Sequence, residues 1–134
     1  MEYALQFIGT HSAMVLLREA FWGGRRFEDL ARRAGVTEQI AAKRLRELVD
    51  AGLLEKQPYR EPGQRTRYEY VLTERGRALF PVLISLIEFG RLLQAGSGTE
   101  LLHRGCGEAV VPQVRCTAGH EVSFADLIIR KAKA

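Results

Sequence analysis

Cysteine is scarce in this chain of 134 residues: there are two, Cys106 and Cys116. That is too few for a disulfide framework and agrees with a reducing compartment. No apolar run reaches the length of a membrane span, and the first residues lack the layout of a secretion signal. The cytoplasm is the expected location. Histidine is scarce too, and His11, His103 and His120 are scattered along the chain. There is no phosphate-cradling glycine loop, no metalloprotease helix motif and no nucleophile with a base beside it. Enzyme chemistry, a bound cofactor and a membrane partner are therefore not expected.

What is present is an ordinary apolar fraction of 46%, which excludes wholesale disorder. A chain of this length allows one domain, or one domain with small appendages. The formal net charge is +4, and its placement carries information. Residues 25–77 hold thirteen Lys/Arg against nine Asp/Glu, while the remainder holds seven of each. The whole excess sits in one central segment, either as a solvated surface or as a face that meets phosphates.

Along the chain, Glu2–Ile8 reads as one or two helical turns. Ser12 is placed to cap a second helix that carries Val15, Leu16, Glu19 and Ala20 and stops at Gly23-Gly24. A third helix is expected over 28–34, closed by Gly35. Thr37 is placed to cap a fourth, running to about Ala51 and ended by Gly52. At 100° per residue, Ile40, Ala41, Leu45 and Leu48 share one face of that helix. Gln39, Ala42, Lys43 and Arg46 share the opposite one. Arg44 falls near the apolar side, where an ion pair with an acid on a neighbouring helix is expected.

Residues 53–57 and 67–72 read as two strands, with Tyr68, Tyr70 and Leu72 alternating against Glu69 and Val71. Between them lies a turn-rich basic tip, residues 58–66. The tyrosines Tyr59, Tyr68 and Tyr70 read as hairpin packing. Thr73 and Glu74 open a long helix over about 74–94, which Pro81 should kink or restart. Gly96-Ser97-Gly98 reads as a linker.

Three short helices, a fourth with a polar outward face, then a hairpin with a basic tip: this order describes a winged helix-turn-helix. The expected fold class is mainly α with a small β-hairpin wing (α+β), a long C-terminal dimerisation helix and a short C-terminal β segment. An α-helix fits the major groove of duplex DNA, where each base pair presents its own donor and acceptor pattern. Gln39 suits adenine and Lys43 suits guanine. Thr37 is placed for a phosphate, and Arg46 lies further along the same DNA-facing side, where it can instead pair with Asp50 four residues on. Arg60, Arg65 and Arg67 in the hairpin are candidates for phosphates or the minor groove. Arg26, with Arg25, either meets phosphate or solvates a turn.

The run from Gly23 to Tyr59, followed by Arg67–Leu83, resembles the HxlR-type family of bacterial winged-helix regulators. The shared pattern begins with Arg26-Phe27, Arg44-Leu45-x-x-Leu48 and Ala51-Gly52-Leu53, then Tyr59. It continues with Tyr68-x-Tyr70-x-Leu72-Thr73-x-x-Gly76, then Pro81-Val82-Leu83 and Phe89-Gly90, with Phe89 where the family usually has tryptophan. The similarity covers roughly residues 4 to 92. It implies a transcription regulator acting as a homodimer through the first helix and the helix 74–94, on a pseudo-palindromic operator in double-stranded DNA. Independently, Leu79–Leu93 is apolar on more than one face, as a partner surface would be. The alternative is a winged helix used as a protein-interaction or dimerisation module. The family's frequent cysteine ahead of the first helix is absent from residues 1–10, so sensing through it does not carry over.

Residues 1–95 are expected to form the DNA-binding and dimerisation domain, and 96–134 a linker and C-terminal extension with a small hairpin and a basic tail. There Val110, Val111 and Val114 read as a strand that Val122–Phe124 pairs with. His103-x-x-Cys106 and Cys116-x-x-x-His120 bracket it. Zinc binding, a redox switch between the cysteines and a plain structural hairpin docked on the dimer helix all fit this spacing. A small-molecule effector is left open: Phe21, Trp22 and Phe80 suit the lining of a pocket and core packing equally.

Overall fold

The computed structural model describes residues 1–95 and 98–132. The helices are α1 (Glu2–Ile8), α2 (His11–Phe21), α3 (Phe27–Ala34), α4 (Glu38–Asp50), α5 (Glu74–Arg77) and α6 (Phe80–Leu93). Strands β1 (Leu54–Tyr59) and β2 (Arg67–Leu72) lie between α4 and α5, and a 3₁₀ turn covers Phe124–Asp126. The chain packs as two units, Met1–Leu83 and Ile84–Ala134, so their boundary falls inside α6. The expected linker lies outside the described residues at Gly96 and Ser97, as do the last two residues of the basic tail. Among the described residues, no helix is long and apolar enough to cross a membrane.

The first unit is built around one apolar cluster. Leu16 and Leu17 of α2, Leu30 of α3, Ala41, Leu45 and Leu48 of α4, and Leu54 of β1 are almost wholly withdrawn from water. The 3.6-residue spacing that puts Ala41, Leu45 and Leu48 on one line of α4 is what lets a polar helix seat itself here. Ile40, expected on that face, is instead 42% exposed at its edge.

Thr10, not Ser12, caps α2, its hydroxyl accepting from the amide of Ala13 at 3.2 Å. The Ser12 hydroxyl instead accepts from Arg44 Nε at 2.9 Å. Arg44 completes its bonding with Glu47 on its own helix, 2.9 Å away. The expected acid on a neighbouring helix is thus replaced by a hydroxyl on α2 and an acid one turn along α4. Thr37 caps α4 as its position predicts, accepting from the amide of Ile40.

β1 and β2 pair antiparallel, with Leu54 opposite Leu72 and Tyr59 opposite Arg67. β1 starts one residue later and ends two residues later than the sequence pattern suggests, because Pro58 sits opposite Tyr68 inside the ladder. An edge strand tolerates a proline whose missing amide would face outward. The hairpin is anchored to the rest of the unit where the amide of Tyr70 donates to the carbonyl of Arg25 at 2.7 Å.

The long helix expected over 74–94 is two helices. α5 ends at Arg77 and α6 begins at Phe80, one residue before Pro81. Proline has no amide to give to the previous turn and disfavours helical geometry in the residue before it, so the helix restarts there. Gly76 has a separate reason to be glycine. A Cβ built on it would stand 2.1 Å from the carbonyl oxygen of Leu53.

In the second unit the expected single hairpin is replaced by two tight ones. Leu102 bridges Ala109, and Arg115 bridges Glu121. Val110 and Val111 form no strand with 122–124. Of that pairing only the bond from the Val122 amide to the Val114 carbonyl is made, at 2.9 Å. Ser123 instead caps the 3₁₀ turn with Asp126. Pro112, between the two hairpins, has no amide to contribute to a ladder.

Two substitutions test this packing. Gly76→Ala must push the Leu53 backbone away and should cost about 1–3 kcal/mol. Leu45→Ala removes a fully buried side chain and should cost about 2–5 kcal/mol. Both are read from urea unfolding; a midpoint unchanged in either variant would contradict the described packing.

Candidate nucleic-acid interface

α3 and α4 are joined by a three-residue turn. The amide of Val36 returns to the carbonyl of Ala31, Gly35 takes the left-handed conformation that closes the helix, and Thr37 opens the next one. α4 therefore opens at the surface, with Thr37, Glu38 and Gln39 all exposed. Its buried line of Ala41, Leu45 and Leu48 forces Gln39, Lys43 and Arg46 outward. These three, spaced four and three residues apart, form with Ile40 and Ala42 the walls of a shallow depression on the outer face of α4. Arg46 also lies close enough to Tyr70 to act on its phenol, which burial pushes up and the Arg46 charge pulls down.

The hairpin tip is a type II turn, Glu61-Pro62-Gly63-Gln64, with Gly63 at φ 77° and a bond from the Gln64 amide to the Glu61 carbonyl. Arg60 folds over it, its Nε donating to the carbonyl of Gln64 at 2.9 Å. Arg26 ties the tip to the start of α3. Its guanidinium lies 2.6 Å from Glu61 and stacks 4.6 Å over the ring of Tyr59. The bond to Glu61, with Tyr59 beside it, holds this guanidinium further above its usual range.

Most cations of the central segment thus separate into two groups. Arg25 pairs with Glu69, Arg26 with Glu61, Arg32 with Asp29 and Arg44 with Glu47. Arg75 and Arg77 donate to the carbonyls of Ala51 and Leu72. Lys43, Arg46, Arg65 and Arg67 are exposed and form no hydrogen bond or ion pair among the described residues. Of the residues picked out from the sequence, Thr37, Gln39, Lys43 and Arg46 come together on α4. Arg60, Arg65 and Arg67 come together on the wing, and Arg26 sits under that wing as its tether. Sequence reasoning missed Glu61 and Glu69 as the acids that engage Arg26 and Arg25. Partners 35 and 44 residues away leave no local signal.

In the second unit, His103 Nδ1 lies 3.3 Å from Cys106 Sγ at the first hairpin, while Cys116 and His120 flank the second. Both thiols are exposed and free. Backbone amides, those of His120 and Ala118 foremost, draw the Cys116 thiol below its usual range. Among the described residues, no three His, Cys, Asp or Glu side chains converge as a metal site would need. Phe21 packs against Phe80 at a centroid distance of 6.1 Å. Neither they nor Trp22 line the cavity of about 540 Å³ beside α1, whose walls include Tyr3, Phe7, Ile8, Leu53 and Leu79.

The family model for the HxlR-like helix-turn-helix matches residues 7–96. The chain belongs to the HxlR-like helix-turn-helix family. It is a helix-turn-helix transcriptional regulator and not an enzyme. Among its relatives is the helix-turn-helix-type transcriptional regulator Rv3095 of Mycobacterium tuberculosis, 39% identical over 90% of this chain and 77% of its own length. A relative from Methanothermobacter thermautotrophicus is 33% identical over 69% of this chain and 70% of its own. Of solved structures, PA1607, described as a candidate transcription factor, is 33% identical with a TM-score of 0.82, over 96% of this chain and 91% of that one. The HxlR-like match thus spans the winged helix, and the likeness to Rv3095 and PA1607 runs on into the second unit.

The wing tether yields a prediction. Glu61→Ala should speed amide hydrogen exchange at Gln64 and its neighbours and leave exchange at Leu45 unchanged. Equal acceleration at both sites would show that Glu61 supports the core rather than the wing.

Proposed function

We propose that this HxlR-family regulator binds double-stranded promoter DNA as a cytoplasmic homodimer. α4, with its cap, enters the major groove, and the wing, residues 58–67, lies along the backbone or minor groove. The observation that carries this reading is the outward row Gln39–Lys43–Arg46, whose cations form no hydrogen bond or ion pair among the described residues, presented by a helix whose other face is locked in the core. Gln39 reads adenine through paired hydrogen bonds, and Lys43 donates to guanine. Thr37 and the free amides at the start of α4 meet a phosphate, because a helix N-terminus attracts an anion. Arg46 meets a second phosphate. Arg65 and Arg67 reach phosphates from the wing, joined by the outer nitrogens of Arg60. Arg26 serves mainly to hold the wing, with one edge of its guanidinium turned to the backbone.

Residues 1–95 carry DNA binding and dimerisation, and 96–134 form an appended extension. The dimer forms through α1 and the 74–94 segment. No residue of α1 is buried, and Tyr3 is 75% exposed. On α6, Val82, Leu86, Phe89 and Leu93 follow a 4–3–4 spacing and are all exposed, a stripe of the kind that pairs with a second helix. A two-fold axis then sets two α4 helices about one DNA turn apart on a pseudo-palindrome. An effector would enter the cavity beside α1, where Asp50 and Arg75 supply polar contacts at the end of α4.

Fluorescence anisotropy on fragments upstream of the protein's own gene, over a salt series, tests the DNA reading. Wild type should bind selectively, with affinity falling steeply as salt rises, because each neutralised phosphate releases counterions. Gln39→Ala should cost about 1–3 kcal/mol on the preferred site and relax selectivity at one base. Salt-insensitive or unselective binding by wild type would contradict the proposal. For the dimer, Leu86→Asp with Phe89→Asp should give a monomer in sedimentation velocity; an unchanged dimer would place the interface elsewhere.

A further inference from the structure

The second unit exposes more apolar surface than an extension folded for its own sake would. Phe124, Ile128 and Ile129 are 94%, 93% and 92% exposed, and Leu127 is 59% exposed. Beyond the 3₁₀ turn the chain is extended, and residues 127–132 form no backbone hydrogen bond among the described residues. The C-terminal end of α6 lies in the same unit and is bare as well, with Leu92 80% and Leu93 71% exposed. Two apolar surfaces in one compact unit leave each other uncovered. Monomeric proteins rarely leave such patches in water.

We propose that Phe124–Ile129 is a dimer arm whose extended part, Leu127–Ile129, docks over Leu92 and Leu93 at the end of α6 of a second copy of this chain. The proposal rests on the homodimer reading and names a part of the interface that the paired helices do not supply. Leu93 belongs to the stripe with Val82, Leu86 and Phe89. Leu92 projects about 100° away from it, so pairing of one α6 with another leaves Leu92 open.

Area points the same way. Four side chains of α6 with one face of α1 fall short of the roughly 20–30 residues a side that a stable interface uses. Two arms, exchanged about the two-fold axis, enlarge that interface in an isologous contact. Arg130 and Lys131 follow the arm directly and mark where it returns to water.

The test uses the full chain. Ile128→Asp with Ile129→Asp replaces side chains that are solvent-exposed in a single copy, so the fold of the protomer does not depend on them. Sedimentation velocity over a concentration series should show the dimer weakened about tenfold or more in this variant, as for truncation of buried interface anchors. In a Cys106→Ser/Cys116→Ser background, chains carrying Leu92→Cys mixed with chains carrying Ile129→Cys should form a disulfide between unlike chains.

A wild-type dimer that Leu86→Asp/Phe89→Asp dissociates, but that the arm variant leaves unchanged, would overturn the arm and keep the dimer reading. A wild type that stays monomeric across the series would overturn both.

Discussion

The rotation of α4 about its own axis is set by Ala41, Leu45 and Leu48, three side chains on one line that the core of the first unit takes in completely. Withdrawing a leucine from water contributes about 1.5–3 kcal/mol. An exposed ion pair contributes about 0–1 kcal/mol. The apolar line therefore decides which way the helix faces, and the charges on its other side have no say in it. Everything proposed for DNA follows from this one orientation. Gln39, Lys43 and Arg46 face outward because the opposite side of the same helix has nowhere else to go.

Around that helix the charged residues do two different jobs. Arg44 bonds to Ser12 and Glu47 and so joins α4 to α2. Arg75 and Arg77 donate to carbonyls of Ala51 and Leu72 on either side of the hairpin. Arg26 clasps Glu61 and Tyr59 and fixes the wing relative to the start of α3. These contacts consume much of the positive charge that the central segment holds in excess. Among the cations left free, Lys43 and Arg46 lie on the outer face of α4 and Arg65 and Arg67 on the strand-side arm of the wing, the two surfaces a winged helix turns to a duplex.

Much of this was legible in the sequence because it depends on local rules. The cap at Thr37, the stop at Gly35, the strand alternation of 67–72 and the restart near Pro81 follow from single residues and short periods. The outward row on α4 follows from the same period. The departures have long-range causes. Thr10, not Ser12, caps α2, and the Ser12 hydroxyl is engaged by Arg44, 32 residues away. The tether from Arg26 to Glu61, 35 residues on, was not expected, because spacing alone cannot place the two side by side. In the extension, valine content suggested one hairpin, whereas Gly107 and Gly119, at φ 77° and 85°, close two.

The central claim, that the outer face of α4 reads DNA, is tested most directly by photo-crosslinking. A benzophenone side chain is placed at Lys43 in one variant and at Gln6, exposed on α1, in another. Each is irradiated in complex with the preferred upstream duplex. The expected result is a covalent adduct to a base from position 43 and none from position 6. An adduct from position 6 with none from position 43 would contradict the claim.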